Sequence, residues 1–219
     1  MTKDELREDP ILEQIQRGVS FAQHNARWLI AGALVVIAVV VGTIALQRGR
    51  ARGDREAAQY LVEAQAGYLQ GNHAAAETQL REMLQSYGRS KLAGAAQLTL
   101  GDVLLAQSRP QDALKAYEAA AGKAGGDVEL AAAAQRGQGA ALEDAGRVAD
   151  ASQAYEKAAS NASLSQVMDL IAAARTALQA GDPQRAKTLL ERAKQADKQF
   201  QNQSEINTYQ ARVDAALPR

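Results

Sequence analysis

Two apolar patterns run along this chain, and they predict two kinds of helix. Residues 28–46, WLIAGALVVIAVVVGTIAL, hold no charged residue in 19 positions, and eleven of them are Leu, Ile or Val. As a helix at about 1.5 Å per residue this stretch reaches roughly 28 Å, close to a hydrocarbon core of about 30 Å. Each Leu, Ile or Val favours insertion by roughly 0.3–0.6 kcal/mol, and no charge opposes them. Trp28 stands at one edge, suited to an interface. A polar region of 27 residues precedes the span and no small-x-small site follows it, so the expectation is an uncleaved anchor rather than a signal peptide. Within the first 27 residues, Asp9 and Pro10 offer a helix start, and Ile11, Leu12, Ile15 and Val19 share a face. A short helix at the membrane surface and a loosely ordered tail are both compatible with that segment.

After residue 57 the apolar positions recur every three or four residues, in short bursts separated by turn signals. The bursts repeat. DALKAYEAAA at 112–121 returns as DASQAYEKAA at 150–159, with seven of ten positions identical. Gly101 aligns with Gly139, Leu104 with Leu142, Tyr117 with Tyr155 and Ala120 with Ala158. Two looser units share the frame: Ala64, Ala76, Leu80 and Met83 before them, and Ala174, Ala186, Leu190 and Ala193 after. The successive offsets are 37, 38 and 35. A period in this range means stacked supersecondary units, each unable to bury its apolar face alone. Each unit reads as two helices. The first carries a small residue. The second places Ala, a large residue and Ala at i, i+4 and i+7, on one face. Gly181, Asp182 and Pro183 spell a helix stop, a cap and a helix start. The segments GN at 71–72, SRP at 108–110 and GR at 146–147 are variants of that turn. At the end, Ile206, Tyr209, Val213 and Leu217 line one side of a helix that Ser204 would cap. It supplies the polar-backed terminal element that a solenoid requires.

Composition removes several alternatives. Lys plus Arg and Asp plus Glu both number 25, so the basic excess of a nucleic-acid binder is missing. There is no Cys, which excludes disulfides and thiolate metal sites. The two His, His24 and His73, lie far apart in sequence. Adjacent Glu143 and Asp144 point about 100° apart on a helix and do not form an acid–base pair. GQGAAL at 137–142 lacks the third glycine of a dinucleotide fingerprint and falls within a repeat helix. No catalytic, cofactor-binding or metal-binding residues are therefore assigned, and the chain is not expected to be an enzyme.

The aligned positions resemble the tetratricopeptide repeat, with Gly101, Ala113, Tyr117 and Ala120 and again Gly139, Ala151, Tyr155 and Ala158 at its small, Ala, aromatic and Ala positions. The outer units carry Leu in place of the aromatic, and the usual Trp and Pro are absent from all four. The resemblance implies an α-solenoid whose first helices line a concave groove for peptides or protein segments. In this frame the groove holds Leu61, Tyr68, Leu98, Asp102, Leu105, Arg136, Glu143, Ile171 and Arg175. Chaperone-tail clamps of this family need Lys and Asn where this chain has Leu61 and Gln65, so that clamp is not supported.

The expected architecture is all-α. It comprises a tail (1–27), a transmembrane helix (28–47), a basic linker (48–56), four hairpins (about 57–90, 94–127, 132–165 and 167–200) and a capping helix (201–219). This layout resembles the ancillary Sec-translocon subunits of bacterial inner membranes. That resemblance implies one membrane span, a cytoplasmic tail, periplasmic repeats, and the translocon, chaperones or client polypeptides as partners. The charge distribution points the other way. Arg17 and Arg27 precede the span, whereas Arg48, Arg50, Arg52 and Arg55 follow it, which favours cytoplasmic repeats. Long domains translocate despite local charge, so the family's topology is the expectation. A cytoplasm-facing regulator and a self-assembling envelope protein are the alternatives.

Overall fold

The computed structural model describes residues 26–161 and 163–217, and every regular element among them is an α-helix. The helices are α1 (Ala26–Leu69), α2 (His73–Tyr87), α3 (Ala93–Ala106), α4 (Pro110–Lys123), α5 (Val128–Asp144), α6 (Val148–Ala159), α7 (Gln166–Gln179), α8 (Pro183–Ala196) and α9 (Gln203–Ala216). The expectations for Asp9, Pro10 and His24 lie outside the described residues, as do positions 218–219 of the capping segment. The chain divides into two compact units, Met1–Arg52 and Gly53–Arg219.

In the first unit, α1 contains the uncharged stretch. Its most apolar 18-residue window has a mean hydropathy of 2.5 and no residue buried against protein. The helix is long and apolar enough to cross a membrane. Its one hydroxyl is satisfied internally, since Thr43 Oγ1 donates to the Val40 carbonyl at 2.8 Å, as a lipid surroundings would require. The basic stretch 48–56, expected as a linker, is helical throughout.

In the second unit the end of α1 pairs with α2, and α3 with α4, α5 with α6 and α7 with α8 follow as hairpins; α9 packs on α7 and α8. The turns inside the hairpins share one geometry. Gly71, Gly146 and Gly181 have φ of +78°, +74° and +81°, and Ser108 takes the same left-handed conformation at +58°. These positions obey the repeat period of 37, 38 and 35. At each one, the left-handed residue donates back to the third residue before it, as Gly146 N does to Glu143 O at 2.8 Å. The next residue donates five back, as Arg147 N does to Leu142 O at 2.8 Å. This pair of bonds satisfies carbonyls that a helix end leaves open. Three turns use the residue type that adopts this conformation without strain; the fourth holds a serine there and starts the next helix with Pro110.

The repeated positions form the seams. Ala113, Tyr117 and Ala120 are 0, 1 and 0 % exposed, Ala151, Tyr155 and Ala158 are 0, 6 and 0 %, and Ala186, Leu190 and Ala193 are all 0 %. They join two apolar clusters, one from Ala57 to Ala141 and one from Leu142 to Val213, with Leu114 packed against both. Asp182 caps α8, accepting from Arg185 N at 2.9 Å. The terminal helix differs from expectation at its start. α9 begins at Gln203 with Asn202 at the N-cap, so Ser204 lies inside the helix and caps nothing. The preceding turn is held instead by the Asp197 carboxylate, which accepts from Gln201 N and Asn202 N at 3.1 and 3.0 Å. Ile206 and Val213 are buried in the second cluster, and Tyr209 and Leu217 pack against it.

Candidate protein-binding surface

The first helix of each hairpin supplies the candidate groove, and the structure divides its nine residues into three groups. Leu61 and Ile171 are core residues, 8 and 2 % exposed, with no side-chain surface to offer a partner. Their positions face a neighbouring helix, because the apolar stripe on α1 and α7 is wider than the repeat frame assigns. Tyr68, Leu98 and Leu105 are partly buried beside the first cluster and keep one side open. Tyr68 packs its ring on His73, centroids 5.5 Å apart, which gives His73 a packing role.

The polar members form a third group, engaged by partners that the frame did not assign. The Tyr117 hydroxyl donates to Asp102 Oδ1 at 2.8 Å. The Tyr155 hydroxyl donates to Glu143 Oε2, also at 2.8 Å. Arg175 grips Glu143 with both terminal nitrogens at 2.7 and 2.8 Å. Arg136 places Nε and Nη2 on the two oxygens of Asp169 at 2.5 and 3.0 Å. α5 and α7 are thus tied by two forked pairs of opposite polarity, Arg136 to Asp169 and Glu143 to Arg175. Such forks fix geometry as well as adding attraction. Sequence reading missed Asp169, which is 1 % exposed. A signal for it existed. These partners lie 33 and 32 residues apart, and Glu77 with Arg109, another close pair, is also 32 apart. Opposite charges just under one repeat apart mark neighbouring hairpins.

The two tyrosine-bound acids differ in electrostatics. Burial raises the Asp102 pKa above its ordinary value, only partly opposed by the Tyr117 hydrogen bond. At Glu143 burial also acts upward, but the Arg175 guanidinium and the Tyr155 hydroxyl outweigh it and the pKa falls. The consequences for stability have opposite signs. Folded Asp102 holds its proton to higher pH than the unfolded chain does, so its contribution is present in acid and is lost as pH rises through the folded pKa. Glu143 contributes above the unfolded pKa, and that contribution is lost as pH falls. Asp102→Asn should therefore be as stable as the parent or more so at neutral pH, with the difference vanishing in acid. Glu143→Gln should be less stable at neutral pH and converge with the parent in acid. Melting temperatures across the acid range check this, and a shared sign for the two variants would refute it.

Among the described residues no cluster of His, Cys, Asp or Glu is arranged to hold a metal. Two open clefts lie between second helices. One, of about 420 Å³ between α2 and α4, has Leu84, Leu100 and Leu104 on its walls with Arg81 and Lys115 at its rim. The other, of about 430 Å³ between α6 and α8, is polar, with Arg185 and Arg192 converging on Glu156. Neither contains a histidine.

Residues 98–165 match the model of the tetratricopeptide repeat family, a stretch running from within α3 through α6. No curated protein matches the chain. The match falls on the two hairpins whose sequences echo one another, and hairpins on either side repeat their turns and seams. Together the match and the helical repeat support a tetratricopeptide-repeat protein, and such repeats indicate a scaffold for protein–protein interaction.

Proposed function

We propose that this protein is a membrane-anchored adaptor whose repeat domain holds segments of partner proteins, assisting protein translocation or envelope protein folding in a bacterial inner membrane. The observation that carries the reading is the combination in one chain of a tetratricopeptide match and a helix long and apolar enough to span a membrane. The layout resembles that of ancillary translocon subunits, whose repeats are periplasmic. Partner contact is proposed at the open side of Tyr68, Leu98 and Leu105, with Arg136 and Arg175 beyond them. A second reading has a specific observation in its favour. Arg48, Arg50, Arg52 and Arg55 after the span favour cytoplasmic repeats and hence a cytoplasm-facing regulator.

A photo-crosslinking residue at Leu98 or Leu105, in native membranes, should capture a translocon subunit, a periplasmic chaperone or a translocating chain. The same residue at buried Ile171 is the control. Protease access to the repeats in spheroplasts reads sidedness in the same cells. Repeats shielded in spheroplasts and digested only after lysis would remove the periplasmic reading, and no adduct above the Ile171 control would remove the adaptor reading at this surface.

A further inference from the structure

In the second unit six large apolar side chains are exposed among the described residues: Val62, Leu69, Val128, Leu164, Met168 and Phe200. Four of them share one edge. Val128 and Met168 lie at the starts of first helices α5 and α7. Leu164 lies in the loop before α7, and Phe200 lies in the equivalent loop before α9. Contacts trace the edge from one hairpin to the next. Asp54 accepts from Ser90 Oγ at 2.6 Å. Lys123 Nζ donates to the Gly88 carbonyl at 3.0 Å. Leu164 N donates to Glu129 Oε1 at 2.8 Å. The edge therefore begins where the chain enters the unit, at Gly53. Its two loop-tip residues are the most open, with Leu164 at 96 % and Phe200 at 74 % exposure. The remaining two exposed apolar residues, Val62 and Leu69, are both on α1.

Exposed apolar side chains gathered on one side of a domain mark an interaction surface. The tether identifies the occupant. Gly53 follows Leu46, the last residue of the uncharged stretch, by only seven positions, so the first part of this edge is held close to a bilayer at high effective concentration. Apolar side chains at loop tips and helix starts can enter the headgroup region while the backbone stays hydrated. Charges of both signs accompany them, Lys91 and Lys123 with Asp127 and Glu129, so the attraction is apolar more than electrostatic.

We propose that the edge formed by Val128, Leu164, Met168 and Phe200 is a second membrane contact, inserting into the lipid headgroup surface and setting how the repeat domain is presented to its partners. This rests on the reading of residues 28–46 as a membrane anchor, and the test separates the two. The natural absence of Cys permits single Leu164→Cys and Phe200→Cys variants of the full chain, each carrying an environment-sensitive fluorophore. Asp144→Cys and Ala180→Cys, near the turns inside the hairpins, are the controls. The protein is reconstituted into vesicles of phosphatidylcholine, alone or with phosphatidylglycerol, with and without lipid spin-labelled near the headgroup. Labels at 164 and 200 should shift to the blue and be quenched by the spin label in both lipid mixtures, while labels at 144 and 180 do neither. Trp28 is the sole Trp, and its quenching in the unlabelled protein reports the anchor independently. Quenched Trp28 with labels 164 and 200 still in water overturns the second contact alone. A blue shift without lipid quenching also overturns it, showing these residues covered by a second copy of the chain. Unquenched Trp28 overturns the anchor, and the second contact with it.

Discussion

Arg136→Ala should destabilise the repeat domain by about 3 kcal/mol, the largest effect expected of any single charge removal in it. The reason is the environment of its partner. Asp169 is 1 % exposed and both its oxygens are taken by the Arg136 fork, whereas Arg136 itself keeps 37 % of its side chain in solvent. Removing the guanidinium leaves a carboxylate in the interior with no compensating donor, a change that typically costs about 3–5 kcal/mol. The half-open arginine argues for the lower end, because water can partly replace it. For a domain of this size about 3 kcal/mol corresponds to roughly 6–12 °C in melting temperature. The neighbouring fork supplies the comparison. Glu143 is 21 % exposed and retains the Tyr155 hydroxyl if Arg175 is lost. Arg175→Ala should therefore cost about 1 kcal/mol, the range of a partly exposed pair. Replacing Arg136 and Asp169 together by leucine should recover most of the loss, since neither partner is then left uncompensated. Urea unfolding followed by helical circular dichroism measures all three. Equal losses from Arg136→Ala and Arg175→Ala would show that the burial of Asp169 is not what makes its fork important.

That contrast also explains how far the sequence could be read. The seams were legible because they obey two periods at once, i, i+4 and i+7 within a helix and 35 to 38 residues between helices. No accidental run of alanines satisfies both. The hairpin turns were legible where glycine supplies the left-handed residue. At Ser108 the same geometry is present, but only Pro110 announced it. The surface was less legible. A repeat frame says which positions point away from their own hairpin, but not what meets them from the next one. Leu61 and Ile171 point into neighbouring helices, and Arg136 and Glu143 are engaged by residues of α7. The capping of α9 was misplaced for a similar reason. Ser204 is a good cap by type, yet Asp197, several residues upstream, already holds the backbone of the turn and starts the helix before it. Loop contacts of this kind leave no periodic trace.

Tyr117→Ala should be more damaging still, by about 3–5 kcal/mol, because it empties the best-filled part of the seam. Tyr117 is 1 % exposed. Its ring lies against two glycines on successive first helices, Gly101 of α3 and Gly137 of α5, and a Cβ on either would fall within the ring's van der Waals envelope. The glycines are thus the complement of the tyrosine: backbone approaches closely because the side chain that would intervene comes from α4. The equivalent Tyr155 meets only Gly139 in this way, at 2.7 Å from an added Cβ. Two variants isolate the ring from the hydroxyl. Tyr117→Phe keeps the ring and removes the donor to Asp102, and should cost about 1 kcal/mol, since Asp102 already tends to hold its proton. Gly137→Ala keeps the tyrosine and forces it to move, an overpacking worth about 1–3 kcal/mol. In a double-mutant cycle, Gly137→Ala combined with Tyr117→Leu should cost less than the sum of the separate changes, because the smaller side chain vacates the space the new methyl needs. Strict additivity in that cycle would mean that glycine and tyrosine are not packed as complements. The stacking of the two echoing hairpins would then rest on their alanines alone.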